Sequence, residues 1–146
     1  MNRSPIVLTF GTFDLFHVGH LNIIERAAGF GRLFVGVSTD ALNFSKKTSY
    51  PVYDQGSRLR IVKSIACVAG VFLEESLEEK RNYLLQYKAD FLVMGDDWRG
   101  RFDEFEDVCS VIYLPRTPMI STSHAKEAVR SSSSVRAHLE RLGQTA

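Results

Sequence analysis

His17 and His20 stand three residues apart in the run Gly11-Thr12-Phe13-Asp14-Leu15-Phe16-His17-Val18-Gly19-His20, just beyond an apolar, β-forming stretch at 6–10. Positions three apart share a helical face, so the two imidazoles can point at one spot if a helix begins near His17. The free N–H groups and dipole of such a helix start draw an anion, and Gly11 and Gly19 let it approach the backbone closely. Phosphate contact is the chemistry this run points to. A histidine pair can also ligate a metal or serve the fold. No Glu-rich or Cys partner stands at a zincin-like spacing, and no nearby serine pairing or cysteine supports covalent catalysis, so no protein metal site is expected.

The elements that would position this pair alternate between strand and helix, as in a parallel sheet covered by helices. Strands are expected at 6–10, 33–37, 71–73, 91–94 and 111–114, and helices at 17–30, 57–67 and 77–87, with a last one starting near Ser121. The stretch 38–55 reads as a polar loop. Serines 131–134 read as a flexible joint to a terminal amphipathic piece at 135–142, so the division is a domain over 1–130 and a joint with a short helix over 131–146. The expected fold is a doubly wound, Rossmann-like α/β domain, a five-stranded parallel sheet with helices on both faces and ligands at the carboxyl ends of its strands. Polar clusters fall at four of those ends, in residues 11–14, 38–40, 95–98 and 116–123.

A chain of 146 residues fits one domain with a real core. Its formal net charge of +1 argues against bulk electrostatic capture of nucleic acid or an anionic membrane. The apolar stretch before Gly11 is far too short for a signal-peptide core or a spanning helix, so a cytoplasmic location is expected. Cys67 and Cys109 match no metal or redox spacing and read as free thiols in or near the core. Ser121, Thr122 and Ser123 precede a helical pattern and would cap it, presenting donors to phosphate oxygens, while Arg116 adds a guanidinium.

The run Gly11-Thr12-Phe13-Asp14 with His17-Val18-Gly19-His20 resembles the HxGH nucleotidyltransferase superfamily. Met94-Gly95-Asp96-Asp97-Trp98 and Arg116-Thr117-Pro118-Met119-Ile120-Ser121-Thr122-Ser123 resemble its cytidylyltransferase branch, and the run from Gly95 through Gly100, Phe102 and Asp103 most resembles the glycerol-3-phosphate cytidylyltransferases. The resemblance implies direct displacement, in which an acceptor phosphate oxygen attacks the α-phosphorus of CTP and pyrophosphate leaves. It implies catalytic roles for His17, His20, Lys46 and Arg116. Nucleotide contacts are implied at Thr12, Phe13, Asp14, Gly19, Lys47, Gly95, Asp97, Thr117, Ile120, Ser121, Thr122 and Ser123, with Asp14 either ordering its turn or facing the metal's water shell. Acceptor contacts are implied at Lys46, Arg58, Lys80, Asp97 and Trp98. Mg²⁺ would be held mainly by the nucleotide phosphates, and the partners are CTP, a phosphorylated polyol and a second copy of the chain in a homodimer. The product would feed a cell-envelope polymer.

The chain departs from the family pattern at several points. Thr48 stands where the family has a second loop lysine, Pro118 and Met119 replace a Glu-Gly pair, Ser123 replaces a threonine, and residues 68–71 lack the usual acidic pair. Alternatives are the same chemistry with another acceptor, such as ethanolamine phosphate, or with ATP, and a catalytically weak nucleotide-binding protein.

Overall fold

The computed structural model describes residues 3–118 and 121–131. The strands Ile6–Gly11 (β1), Arg32–Ser38 (β2), Val68–Glu74 (β3), Phe91–Gly95 (β4) and Ser110–Leu114 (β5) form one sheet in the order β3-β2-β1-β4-β5. Every pairing is parallel. The chain reverses its direction of travel across the sheet between β1 and β4, which makes the carboxyl ends of those two strands the place where a crevice opens.

Strands buried on both faces must be apolar on both, and β1 is: Val7 faces one core and Leu8 and Phe10 the other. The first core packs β1, β2 and β4 against Ile24 and Ala27 of helix Val18–Ala28 (α1) and Val62 of helix Gln55–Lys63 (α3). The second packs Leu8, Phe10, Leu92 and Met94 against Leu84 of helix Lys80–Gln86 (α4) and against Phe102 and Phe105, which cap and belong to the short 3₁₀ helix Asp103–Asp107. Helices therefore cover both faces, as expected from the sequence.

The stretch read as a polar loop contains a helix, Asp40–Lys47 (α2). Thr39 caps it by accepting from Leu42 N at 3.1 Å, and Thr48 closes it in the left-handed conformation at φ 56°. Only Leu42 and Asn43 of α2 are buried, too few apolar positions to announce a helix by periodicity. Helix α3 starts earlier than expected because Asp54, rather than a later residue, caps it, accepting from Ser57 N at 2.7 Å. Strand β3 is seven residues long and not three; Ala69 and Gly70 hide its first half, where the Phe34 ring lies 2.9 Å from any Cβ added at Gly70. The helix expected to start near Ser121 is Thr122–Ser131 (α5), so Ser131 is helical; Ser132 to Ser134 and the piece expected at 135–142 lie outside the described residues.

Gly36, in the middle of β2, gives room for two rings of the second core: a Cβ there would sit 2.6 Å from the Phe10 ring and 2.9 Å from that of Phe72. Gly36→Ala is expected to lower stability by about 1–3 kcal/mol through overpacking, read from the urea midpoint at unchanged slope.

Candidate active site

The carboxyl ends of the strands surround a cleft of about 780 Å³. Its floor is the turn after β1, where Phe13 and Leu15 hold positive φ values of 56° and 46°, a conformation that costs a non-glycine residue free energy. What holds the turn is Asp14. Its side chain is nearly buried and accepts from Leu15 N at 3.1 Å, Val52 N at 2.7 Å and Tyr53 N at 2.9 Å. Its carbonyl accepts from Thr122 Oγ1 at 2.7 Å, and Lys126 Nζ lies 3.8 Å from the carboxylate. Of the two expected roles for Asp14, the geometry supports ordering the turn, because both carboxylate oxygens are occupied by backbone donors.

The histidines begin α1. His17 is its N-cap residue, and its Nδ1 accepts from Gly19 N at 3.0 Å; His20 Nδ1 accepts from His17 N at 3.1 Å. A helix start leaves amides without partners, and here imidazoles satisfy two of them. A ring that accepts at Nδ1 carries its proton on Nε2 when neutral. The rings stack with centroids 3.8 Å apart. Burial, then the neighbouring His17, pushes His20 down to about 4 despite the opposing charge of Asp14. Burial and then Arg116 lower His17. Both imidazoles are thus neutral at pH 7 and offer Nε2–H as a donor. His17 Nε2 is buried without a partner among the described residues, a desolvated donor that a ligand oxygen would satisfy.

On the β5 side, Arg116, Thr117, Ser121, Thr122 and Ser123 line the cleft. Asn22 donates to Thr117 Oγ1 at 2.9 Å, and Ser121 caps α5 by accepting from His124 N at 3.0 Å. On the β2 and β3 side, Lys46 and Lys47 line it from the last turn of α2, so the neighbouring Thr48 ends a helix instead of supplying a cation. Thr12, Phe13, Gly19, Gly95, Asp97 and Trp98 also line the cleft. Thr12 Oγ1 donates to Asn43 Oδ1 at 2.7 Å, which ties the floor to α2. Gly95 leaves room for the Asp97 side chain, whose Oδ1 would lie 2.7 Å from an added Cβ. Ile120 and Met119 lie outside the described residues.

Arg58 does not reach the cleft, and the expectation that it contacts the acceptor is corrected. Its side chain is fully buried and donates to the carbonyls of Tyr53, Thr12 and Ser38 and to Asp40 Oδ1, all at 2.7–2.9 Å. Lys80 does line the cleft, yet not as an exposed helix charge: it is buried, with Nζ 2.6 Å from Glu74 Oε2 and 3.6 Å from the Phe10 ring centroid. Glu74, Arg101 and Lys126 line the cleft as well and were not singled out in the sequence. Glu74 had a signal, since β3 read to its full length ends on it, as β1, β2 and β4 end on the cleft residues Gly11, Ser38 and Gly95. Among the described residues, no group of three or more His, Cys, Asp or Glu side chains forms a metal cage, and no helix is long and apolar enough to cross a membrane.

Two consequences are measurable. Arg58→Met is expected to cost about 3 kcal/mol or more, because the buried Ser38 carbonyl, the half-buried Tyr53 and Thr12 carbonyls and Asp40 lose their donor; urea unfolding reads it. In the unfolded chain an imidazole takes up its proton near 6.5, whereas folded His20 does so only near 4. Between these values the unfolded state binds the additional proton, so this contribution is complete above about pH 6.5 and falls by about 3 kcal/mol as pH drops to 4. His20→Asn, which keeps an acceptor for the His17 amide, is expected to flatten that decline in unfolding free energy.

Residues 8–137 match the family model described as cytidylyltransferase-like. The chain is 44% identical over 125 residues to the glycerol-3-phosphate cytidylyltransferase of Bacillus subtilis (strain 168), covering 84% of this chain and 95% of that protein. It is 42% identical over 123 residues to the protein of that name from Staphylococcus aureus (strain NCTC 8325 / PS 47), covering 83% and 92%. Among solved structures, the lipopolysaccharide core biosynthesis protein from Thermoplasma volcanium GSS1 superposes with a TM-score of 0.68 at 21% identity, over 79% of this chain and 99% of that one, a likeness of fold. With the paired imidazoles at the head of α1 and a family model spanning nearly the whole sheet, this chain belongs to the cytidylyltransferase-like family.

Proposed function

We propose that this protein is a nucleotidyltransferase that transfers the cytidylyl group of CTP to sn-glycerol 3-phosphate, giving CDP-glycerol and pyrophosphate. The observation that supports it best is the order of charge along the rim. Neutral His17 and His20 follow β1 at the centre, Lys46 and Lys80 stand on the β2 and β3 side, and Arg116 with the start of α5 stands beyond β4 on the β5 side. Two anionic reactants can each be held by one flank and meet at the imidazoles. The relatives at 42–44% identity carry the same named activity, which supports CTP and glycerol phosphate as the pair.

In this reading an acceptor phosphate oxygen forms the new bond to the α-phosphorus as the bond to the β-phosphate bridge breaks, and its electron pair leaves with pyrophosphate. The attacking oxygen is already ionised at neutral pH and needs no general base. Nε2–H of His17 and His20 donates to the α- and β-phosphate oxygens as charge builds there, and Arg116 faces the leaving group. Thr12, Phe13, Asp97 and Thr117 shape the nucleotide side, and Lys46, Lys80 and Trp98 the acceptor side. Mg²⁺ bound to the triphosphate would offset its charge. Phosphate oxygens and water would be its ligands, which fits a cleft whose Asp14 spends both carboxylate oxygens on backbone N–H groups. The reading includes a cytoplasmic, homodimeric enzyme of cell-envelope polymer synthesis; edge strand β3, with half-buried side chains, supports a pairing surface.

Pyrophosphate release with CTP or ATP against a panel of phosphorylated alcohols tests this. CTP with sn-glycerol 3-phosphate is expected to give the highest kcat/KM; CTP that binds yet turns over with no acceptor would sink the enzyme reading. His17→Asn, which preserves a helix cap, is expected to lower kcat by about 10²–10³-fold while CTP affinity changes by about threefold or less. Equal losses in both would reduce the histidine to a binding group.

A further inference from the structure

We propose that Glu74 is a positioning residue for the acceptor phosphate, holding the Lys80 ammonium at the β3 end of the cleft that Lys46 also lines. The inference rests on the acceptor reading given above. Glu74 is the last residue of β3, is 2% exposed and lines the cleft. Its backbone is pinned, since its carbonyl accepts from Thr39 N at 3.0 Å. One carboxylate oxygen takes Lys80 Nζ at 2.6 Å; the other lies 3.4 Å from Ser38 Oγ, itself 3.2 Å from the Gly11 carbonyl. The carboxylate is therefore aimed by β1 and β2, the strands that carry the catalytic turn.

The surroundings of Lys80 are apolar. Its Nζ lies 3.6 Å from the Phe10 ring centroid and 5.1 Å from that of Phe102. Burial drives its proton off, the charge and hydrogen bond of Glu74 hold it on, and Lys46 opposes it. Lys46 has the same pattern: burial lowers it, Glu74 raises it and Lys47 lowers it. The charged groups that face one another here are thus Glu74 from β3, Lys80 from α4, and Lys46 and Lys47 from α2. A carboxylate beside the seat of an anion repels that anion, and a buried ion pair is weak evidence for stability. Its presence favours phosphate binding only if the lysines would otherwise be neutral. The Lys80 ammonium and the Glu74 carboxylate offset each other, so Lys46 and Lys47 supply the net positive charge facing the acceptor.

The test combines kinetics with the titration of Lys80 itself. Protein labelled with [¹³Cε,¹⁵Nζ]-lysine, with the Lys80 signal assigned by its loss in Lys80→Arg, is titrated from pH 6.5 to 10 without substrate. In the unmutated protein Lys80 is expected to be protonated at pH 7.5; a neutral Lys80 there would overturn the proposal without any Glu74 variant having to fold. In Glu74→Gln the titration is expected to move down by about one unit or more, and Glu74→Asp is expected to restore part of it. In parallel, the KM for sn-glycerol 3-phosphate in Glu74→Gln is expected to rise about tenfold or more above that lowered value while the KM for CTP stays within about twofold. An unmoved Lys80 titration, or both KM values rising together at every pH, would make Glu74 a structural residue only. If the unmutated protein fails to turn over sn-glycerol 3-phosphate while Lys80 responds to Glu74 as described, the acceptor reading fails and the hold of Glu74 on Lys80 stands.

Discussion

Two backbone amides, those of Gly19 and His17, determine what the cleft can do, because they donate to the Nδ1 atoms of His17 and His20. Most helices satisfy their first amides with the oxygen of Ser, Thr, Asp or Asn. Using imidazoles instead makes the cap and the reactive group one object. The bond that starts α1 also places the proton on Nε2 and aims the ring, so no further residue is needed to choose the tautomer. Burial, helped by Arg116 at His17 and by the stacked His17 ring 3.8 Å away at His20, then keeps both neutral. Any change in the angle at which the chain enters α1 would move both rings together.

That angle is set by a pair of buried opposite charges. The Tyr53 peptide is held at both ends: its N–H by the Asp14 carboxylate and its C=O by the Arg58 guanidinium. Arg58 also grips the carbonyls of Thr12 and Ser38, at the ends of β1 and β2. Asp14 grips the amide of Val52 and, through its own carbonyl, Thr122 of α5. Three segments far apart in the chain are thereby locked onto the turn that precedes the histidines, and the positive φ values of Phe13 and Leu15 persist because so many bonds determine them. Arg58 thus serves the site through the backbone.

The parts of this design legible in the sequence are those with a period or a spacing. Strands apolar on both faces, a histidine pair three apart and polar clusters after strands all follow from geometry that a linear pattern reports. Helix α2 does not, because its stability comes from a Thr39 cap and from Asn43, a buried polar side chain that pairs with Thr12 across the cleft floor. Asn43 looks like a loop residue until its partner is known. The buried charges fail for the same reason: Arg58, Glu74 and Lys80 carry side chains that composition assigns to a wet surface, and only the fold supplies the partners that allow burial. Glu74 was hidden further by Gly70, which interrupts the pattern of β3 to make room for Phe34.

The layout of charge along the rim also bears on release. A cleft lined only by fixed cations at its centre would bind substrate, product and pyrophosphate with similar strength, and uniform binding does not raise kcat. The imidazoles are different because burial has lowered their proton affinity. At Nε2 each offers a donor whose interaction grows with the negative charge on the oxygen it meets, and in the proposed transfer that charge is greatest on the bridge oxygen as its bond to the α-phosphorus breaks. The cations of the flanks stand apart from the imidazoles, with Arg116 on one side and Lys46 and Lys80, with Glu74, on the other. On the flank proposed for the acceptor Glu74 offsets part of the lysine charge, and a phosphate monoester that becomes part of a diphosphate diester gives up one of its two negative charges and with it much of its attraction to that flank. The same carboxylate that keeps the lysines charged for binding therefore weakens their hold on the product.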